Sequence, residues 1–473
     1  MDSNTKDIAR MTGLFASFAF LQYTVLNLAN HAGEGFLASM QRDRVYYGLQ
    51  VSVILGFLIH AVIFRIFSKR QIAAVNRKRI SYTVLGLFFA CMAAMLMTGT
   101  DSIFYVAVSM AAVLCLGAVC GAVHLRMSLN TLRSLDTAKC MGIGNAAAIL
   151  LQYLLQIKWG ISPLLPVFML GSLIFMAYTL SYMEQRTCVF EIERPEAPPP
   201  RRILTAIIIT TAFAMFLCFY NEYIHHLQIQ SDYGAYNVYN WPRLMLVPVY
   251  LLFAFIGNRR KGKFVPITAL CILLISLMNV ILAGNPGAYW LNMCLFYCSI
   301  AAFSSYYLLT FWQLAPGTAN PAFWAPFGRM IDSGIVLFAG GMNISSFPAP
   351  VIIGADILGV AVVILMMALG GDFNLAEEKE AGPVVPAAAP VPLPKLSPEE
   401  GLLRMRERYQ LSMRETEVLR ELVLTEDKQT VISERLGIQV RTLQNHVTQL
   451  YRKTDTATRS GLTELYHENR NKG

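Results

Sequence analysis

Apolar residues in this chain fall into long runs separated by short polar breaks. The runs lie near 11–30, 46–67, 80–99, 102–123, 138–157, 162–183, 203–222, 239–257, 264–283, 288–311, 324–344 and 350–370. Each is roughly 20 residues, the length that carries an α-helix across a bilayer at about 1.5 Å per residue. The pattern predicts about twelve transmembrane helices. The run at 324–344 stands apart because it contains Arg329 and Asp332. The first run has no small-residue cleavage site and many more runs follow it. It therefore reads as an anchor and not as a removable leader.

Beyond residue 370 the pattern changes twice. Residues 371–398 hold Asn374-Leu-Ala-Glu-Glu-Lys-Glu380 and then Gly382-Pro-Val-Val-Pro-Ala-Ala-Ala-Pro-Val-Pro-Leu-Pro394. Alternating proline and small apolar residues favour an extended, semi-rigid spacer, so this segment is read as a linker. From about residue 399 the chain becomes polar and helical in period. Ser412 three residues before Glu415 fits a capping box, and Val418, Leu419 and Leu422 form one apolar stripe. Ile432 and Leu436 form another, with Gly437 placed to end that helix in a tight turn. Leu443, Val447 and Leu450 then fall on one face of a third helix, leaving Arg441, Gln444, Asn445, Thr448 and Arg452 on its outer faces.

Composition agrees with the membrane reading: 55% of residues are hydrophobic and 15% charged. The net charge of +9 matters mainly by position. Alternate loops carry Arg65, Lys69, Arg70, Arg77, Lys78 and Arg79, then Arg126, Arg133 and Lys139, then Arg186, Arg201 and Arg202, then Arg259, Arg260, Lys261 and Lys263. The intervening loops are poor in Lys and Arg, with Arg42, Arg44 and Lys158 as exceptions. The positive-inside rule therefore places both termini in the cytoplasm. The nine cysteines lie almost entirely in apolar runs and make no CxxC pair or His/Cys ligand spacing. No metal site, cofactor motif or catalytic constellation is expected, and the chain is not read as an enzyme.

The proline-rich break at 184–202 has six runs before it and six after. The basic loop Ser68-Lys-Arg70 to Arg79 has a counterpart in Asn258-Arg-Arg-Lys-Gly-Lys263. A repeated half with matching loops is typical of transporters built from paired units. In layout, residues 1–370 resemble the major facilitator superfamily, although that family's Gly/Asp/Arg loop motif is not intact at either place.

The tail carries a closer resemblance. Arg414-Glu415-Thr416-Glu417-Val418-Leu419, Ile432-Ser433-Glu434-Arg435-Leu436, Thr442-Leu443-Gln444-Asn445-His446 and Tyr451-Arg452-Lys453 stand in order, with Arg459 opening a fourth helix. This is similar to the LuxR-type helix-turn-helix domain. It departs from that wording at Val431, Gln439 and Thr454-Asp455-Thr456. The resemblance implies a bacterial DNA-binding module whose third helix enters the major groove. Carried over, Gln444, Asn445 and Thr448 would read bases, Arg441 would reach guanine or phosphate, and Thr442, Arg452 and Lys453 would position the backbone. His446 falls on a family position that is structural.

The expected architecture is all-α: about twelve transmembrane helices in two six-helix halves, 1–183 and 203–370, joined by a cytoplasmic linker at 184–202. The 371–398 linker follows, and then a small four-helix helix-turn-helix domain at 399–473. Ionisable groups in apolar spans are costly and usually face a cavity. Asn30, His31 and Glu34 end the first run, and Asn221, Glu222 and His225 end the seventh, its repeat counterpart. Repeat logic puts them on one central cavity, with Arg329 and Asp332 as further candidates. The resulting expectation is a one-component transcription regulator in the bacterial cytoplasmic membrane. Its partners would be the bilayer, duplex DNA, a small-molecule inducer and a second copy paired through the helix-turn-helix domain. The alternatives are a secondary transporter doubling as a regulator, or a regulator whose bundle is only an anchor or partner surface.

Overall fold

The computed structural model describes residues 3–32, 39–70, 74–131, 136–158, 160–186, 197–230, 241–257, 259–282, 289–342, 347–370, 397–425, 427, 429–454, 456 and 458–471. The chain divides into two compact units, Met1–Leu375 and Ala376–Gly473.

In the first unit a helix falls on every apolar run. The first half holds α1 (Ser3–Asn30), α2 (Ser39–Arg70), α3 (Ala74–Met97), α4 (Ile103–Thr131), α5 (Thr137–Gln152) and α6 (Leu165–Arg186). The second holds α7 (Pro200–Gln230), α8 (Leu246–Ile256), α9 (Phe264–Leu282), α10 (Tyr289–Leu314), α11 (Pro321–Trp324), α12 (Phe327–Gly341) and α13 (Ala349–Gly370). Among the described residues, 8 helices are long and apolar enough to cross a membrane, fewer than the twelve expected. Leu165–Leu180, Trp241–Ile256 and Phe264–Ile275 are shorter apolar helices. The run at 324–344 is broken: Pro321 opens α11, and α12 starts only after Pro326. Proline cannot donate the backbone bond that a continuous helix would need there.

Helix packing explains where the apolar surface goes. Inward residues such as Phe15, Phe57, Phe88, Val123, Phe213 and Trp312 form one continuous core. Val62, Val167, Ile174, Phe255 and Leu358 are more than half exposed, as suits faces that meet lipid and not water. The two halves meet along α5 against α8 and α2 against α12. Those pairings are equivalent under the repeat, since α2 corresponds to α8 and α5 to α12. At the first seam the helices touch closely: a Cβ on Gly142 would lie 2.3 Å from the Tyr250 carbonyl oxygen and 2.6 Å from the Ala254 Cβ.

The second unit contains five described helices, not the four expected: α14 (Pro398–Tyr409), α15 (Met413–Leu424), α16 (Gln429–Arg435), α17 (Val440–Thr454) and α18 (Arg459–Asn471). The extra helix, α14, has its own reciprocal cap from Ser397 and Glu400, and Pro398 in the first turn suits a helix start. It packs against α18, and the Tyr466 hydroxyl donates to the Pro398 carbonyl at 3.2 Å. Ser412 and Glu415 form the cap foreseen for α15. Gly437 takes φ +65 between α16 and α17, a conformation only glycine reaches cheaply. Leu402, Leu419, Leu422, Ile432, Leu443, Leu450, Leu462 and Tyr466 close a small core.

Candidate functional site

A cavity of about 480 Å³ lies in the first unit, lined from both halves. That volume is in the usual range for a small-molecule site. From the first half come residues of α1, α2, α4 and α5: Phe15, Phe18, Gln22, Tyr23, Asn30, Tyr46, Tyr47, Gln50, His124 and Asn145. From the second come Leu217 and Cys218 of α7, Arg243, Tyr250 of α8, Phe296, Tyr297, Phe303, Ser304 and Tyr307 of α10, and Arg329 and Asp332 of α12. The cavity runs from the helix middles out to Asn30, which is exposed at the end of α1. At its inner end Phe15 and His124 pack edge-on against Trp312, with ring centres 5.4 and 5.6 Å away.

A hydrogen-bonded chain crosses the cavity wall from one half to the other. The Tyr23 hydroxyl donates to Asn145 Oδ1 at 2.8 Å and lies 3.2 Å from the Tyr250 hydroxyl. The Tyr250 hydroxyl lies 2.9 Å from Ser304 Oγ. Behind Tyr23, α5 ends in a π turn at Tyr153–Ile157, with buried Gln152 just before it and buried Gln156 within it. Gln152 Nε2 donates to the Tyr23 carbonyl at 2.8 Å and to Gln156 Oε1 at 2.9 Å, and its own Oε1 accepts from Arg243 at 3.2 Å. The Arg243 guanidinium also stands 5.5 Å from the centre of the Tyr23 ring, within reach of a cation–π attraction. Arg329 and Asp332 pair with each other one helical turn apart on α12.

The residues foreseen for this site divide into three groups. Asn30, Arg329 and Asp332 line the cavity, the last two as an ion pair. His31 is half-exposed just beyond α1 and does not line it, because the chain leaves the helix there. Glu34 lies outside the described residues, as do the side chains of Asn221, Glu222 and His225, although those three fall within α7. One turn earlier on α7, Leu217 and Cys218 do line the cavity. Sequence reasoning missed Tyr23, Asn145, Arg243, Tyr250 and Ser304. Arg243, a charge just inside an apolar run, was the one visible signal.

In the second unit Arg441, Thr442, Gln444, Asn445, Thr448 and Arg452 are exposed along α17, and His446 is half-buried. The Thr448 hydroxyl donates to the Gln444 carbonyl at 2.8 Å. Lys453, expected to position the DNA backbone, is exposed at the end of α17 and also makes internal contacts. Its ammonium donates to Glu415 Oε2 at 2.7 Å and to the Gln410 carbonyl at 3.2 Å, tying α17 to the start of α15. Arg459 is likewise committed internally, donating to the carbonyls of Leu422, Thr425 and Asp427.

No family model and no curated protein matches the chain, in the C-terminal unit or elsewhere. Solved structures do. A bacterial homologue of the iron transporter ferroportin, in an outward-facing state with soaked iron, aligns with TM-score 0.51 and 11% identity, over 78% of this chain and 100% of that one. The transporter FucP of the major facilitator superfamily, in its outward conformation, aligns with TM-score 0.50 and 11% identity, over 78% of this chain and 99% of that one. At such identity the likeness concerns the fold. The chain is a multi-pass membrane protein with a fold like that of major facilitator superfamily transporters.

Proposed function

We propose that the chain is a membrane-embedded regulator: the bundle binds a small molecule between its halves, and the C-terminal unit binds duplex DNA. The observation that carries this reading is one chain holding both parts. One is a cavity with a polar chain spanning its two halves. The other is a compact helical unit whose α17 exposes Arg441, Gln444, Asn445 and Thr448 on one side of a buried Leu443/Val447/Leu450 stripe. That side-chain set suits a helix in a major groove, where Gln and Asn pair with adenine and Arg with guanine or phosphate. The resemblance to LuxR-type domains supports it. So does the positive-inside pattern, from which a cytoplasmic tail, within reach of DNA, is expected. Binding to paired half-sites would bring in a second copy of the chain.

The test is titration of labelled upstream DNA with the full chain in lipid nanodiscs at several salt concentrations. Binding that weakens steeply with salt is expected. Absence of DNA binding even at low salt would sink the regulator reading.

A second reading has its own support. The solved structures sharing the fold are a transporter and a homologue of one, and they favour transport by the bundle more directly than regulation. Substrate accumulation by proteoliposomes carrying the chain would establish that reading, whether or not DNA is bound.

A further inference from the structure

On α17 the buried residues Leu443, Val447, Leu450 and Thr454 mark one side of the helix. At about 100° per residue, the line directly opposite runs through Arg441, Asn445, Thr448 and Arg452. All four are exposed. Gln444 is exposed as well, but it stands about a quarter turn from the buried side, at the edge of this line. The helix carries no acidic residue, so nothing on it opposes a polyanion.

The chemistry along the line is ordered. Its two ends are guanidiniums, about 16 Å apart along the axis at 1.5 Å per residue. The major groove is about 12 Å wide, so a helix set into it can hold one arginine against each phosphate wall. Asn445 and Thr448 lie between the two and are left to face the base edges. Asn445 offers an amide that both accepts from and donates to adenine. Thr448 is different. Its hydroxyl donates to the Gln444 carbonyl at 2.8 Å, a bond that threonine makes readily within a helix. That donor is spent on the helix itself, which leaves the methyl group as the part of the side chain with a distinct counterpart. In the major groove the counterpart is the 5-methyl group of thymine.

We propose that α17 reads an A·T-bearing half-site. Asn445 pairs with an adenine, the Thr448 methyl packs against the methyl of a thymine, and Arg441 and Arg452 hold the phosphates on either side. This rests on the C-terminal unit binding duplex DNA, and it names the class of sequence bound.

The test starts from duplexes selected out of a random-sequence pool by the full chain in nanodiscs. The selected duplexes should share A·T pairs. Resynthesis with deoxyuridine for thymine, one position at a time, removes only the methyl. At one position in each half-site it should weaken binding about fourfold, the worth of one methyl taken out of water. Thr448→Ser keeps the hydroxyl and loses the methyl. It should lose the same factor on the thymine duplex and nothing further on the deoxyuridine one. Thr448→Val keeps a methyl and loses the hydroxyl, and should bind as the wild type does. Asn445→Ala should lose its preference for adenine at one nearby position. Affinity indifferent to every deoxyuridine replacement overturns the proposal. So does a loss with Thr448→Val but not with Thr448→Ser, which would put the hydroxyl on the base. Salt-sensitive binding that selects no sequence also overturns it, and leaves DNA binding by the chain standing. Absence of any DNA binding at low salt removes this proposal and the regulator reading together.

Discussion

Lys453 stands in a Tyr-Arg-Lys run where a phosphate contact was expected, yet its ammonium is held by Glu415 and the Gln410 carbonyl. Glu415 is 6% exposed and also accepts the Ser412 N–H at 2.7 Å, so one carboxylate joins a helix cap to a neighbouring helix. Burial by itself pushes this carboxyl up, but the Lys453 ammonium and the Ser412 groups outweigh it and hold it below its ordinary value. A group depressed in the folded state contributes stability that is fully present above its unfolded value, about 4.3 for Glu, and is lost as pH falls through the folded one. Glu415→Gln should therefore cost about 1–3 kcal/mol at neutral pH. Thermal unfolding of a 397–473 fragment checks this. The gap between wild type and variant should shrink as pH drops from 5 to 3, and a gap constant across that range would show that the pair contributes nothing. The Lys453–Glu415 partnership was not legible in sequence, because the residues are 38 apart and share no helix face.

At the scale of helices, α17 and the α5–α8 seam make separate demands. On α17 the buried stripe could be read directly from spacing, and so could the exposed set opposite it. Gln444→Ala or Asn445→Ala should relax discrimination at single base positions by about 1–3 kcal/mol each. Arg452→Ala should weaken all sequences alike and lower the salt slope by about one. Binding curves on operator and scrambled DNA distinguish the two, and a uniform loss from Gln444→Ala would move that residue from base reading to positioning. The seam was not legible in the same way. Gly142 sits in an ordinary Met-Gly-Ile-Gly stretch, and only the approach of α8 makes its missing Cβ necessary. Gly142→Val should force α5 from α8 and lower the melting temperature of the full chain in detergent. The expected cost is about 1–3 kcal/mol, as for other overpacked contacts. A similar change at Gly171, where a Cβ would meet nothing within 4 Å, should be silent by comparison. Runs of about 20 apolar residues announce where helices lie, but not which residues of two helices touch. For that reason Asn145 and Tyr250, both inside apolar runs, were missed as site residues while the helices carrying them were not.

For the whole molecule, the proposed regulation requires that an event in one unit alter the other. The two halves of the bundle share a seam and a polar chain, so the Tyr23–Tyr250 contact joins elements that would separate if the halves rocked. A ligand shifts such an equilibrium only by its difference in affinity for the two arrangements, and a tenfold change in population requires about 1.4 kcal/mol of difference. A single hydrogen bond to a charged group, gained in one arrangement and lost in the other, is of that size. The proline-rich stretch 382–394 need not transmit force rigidly. A change in how bundles pair would alter how often two tails reach adjacent half-sites, which raises or lowers occupancy through effective concentration alone. The consequence is testable by exchanging the anchor. With residues 1–370 replaced by an unrelated membrane helix that leaves the tail in the cytoplasm, operator binding should persist, while the response of a target promoter to the ligand should disappear. Tyr23→Phe in the intact chain removes the bond from Tyr23 to Asn145 and the hydroxyl contact with Tyr250, with little change in apolar packing. It should lower the response without changing operator affinity of the tail. If the exchanged anchor still supports a ligand response, the bundle is a tether and signal reception lies elsewhere in the cell.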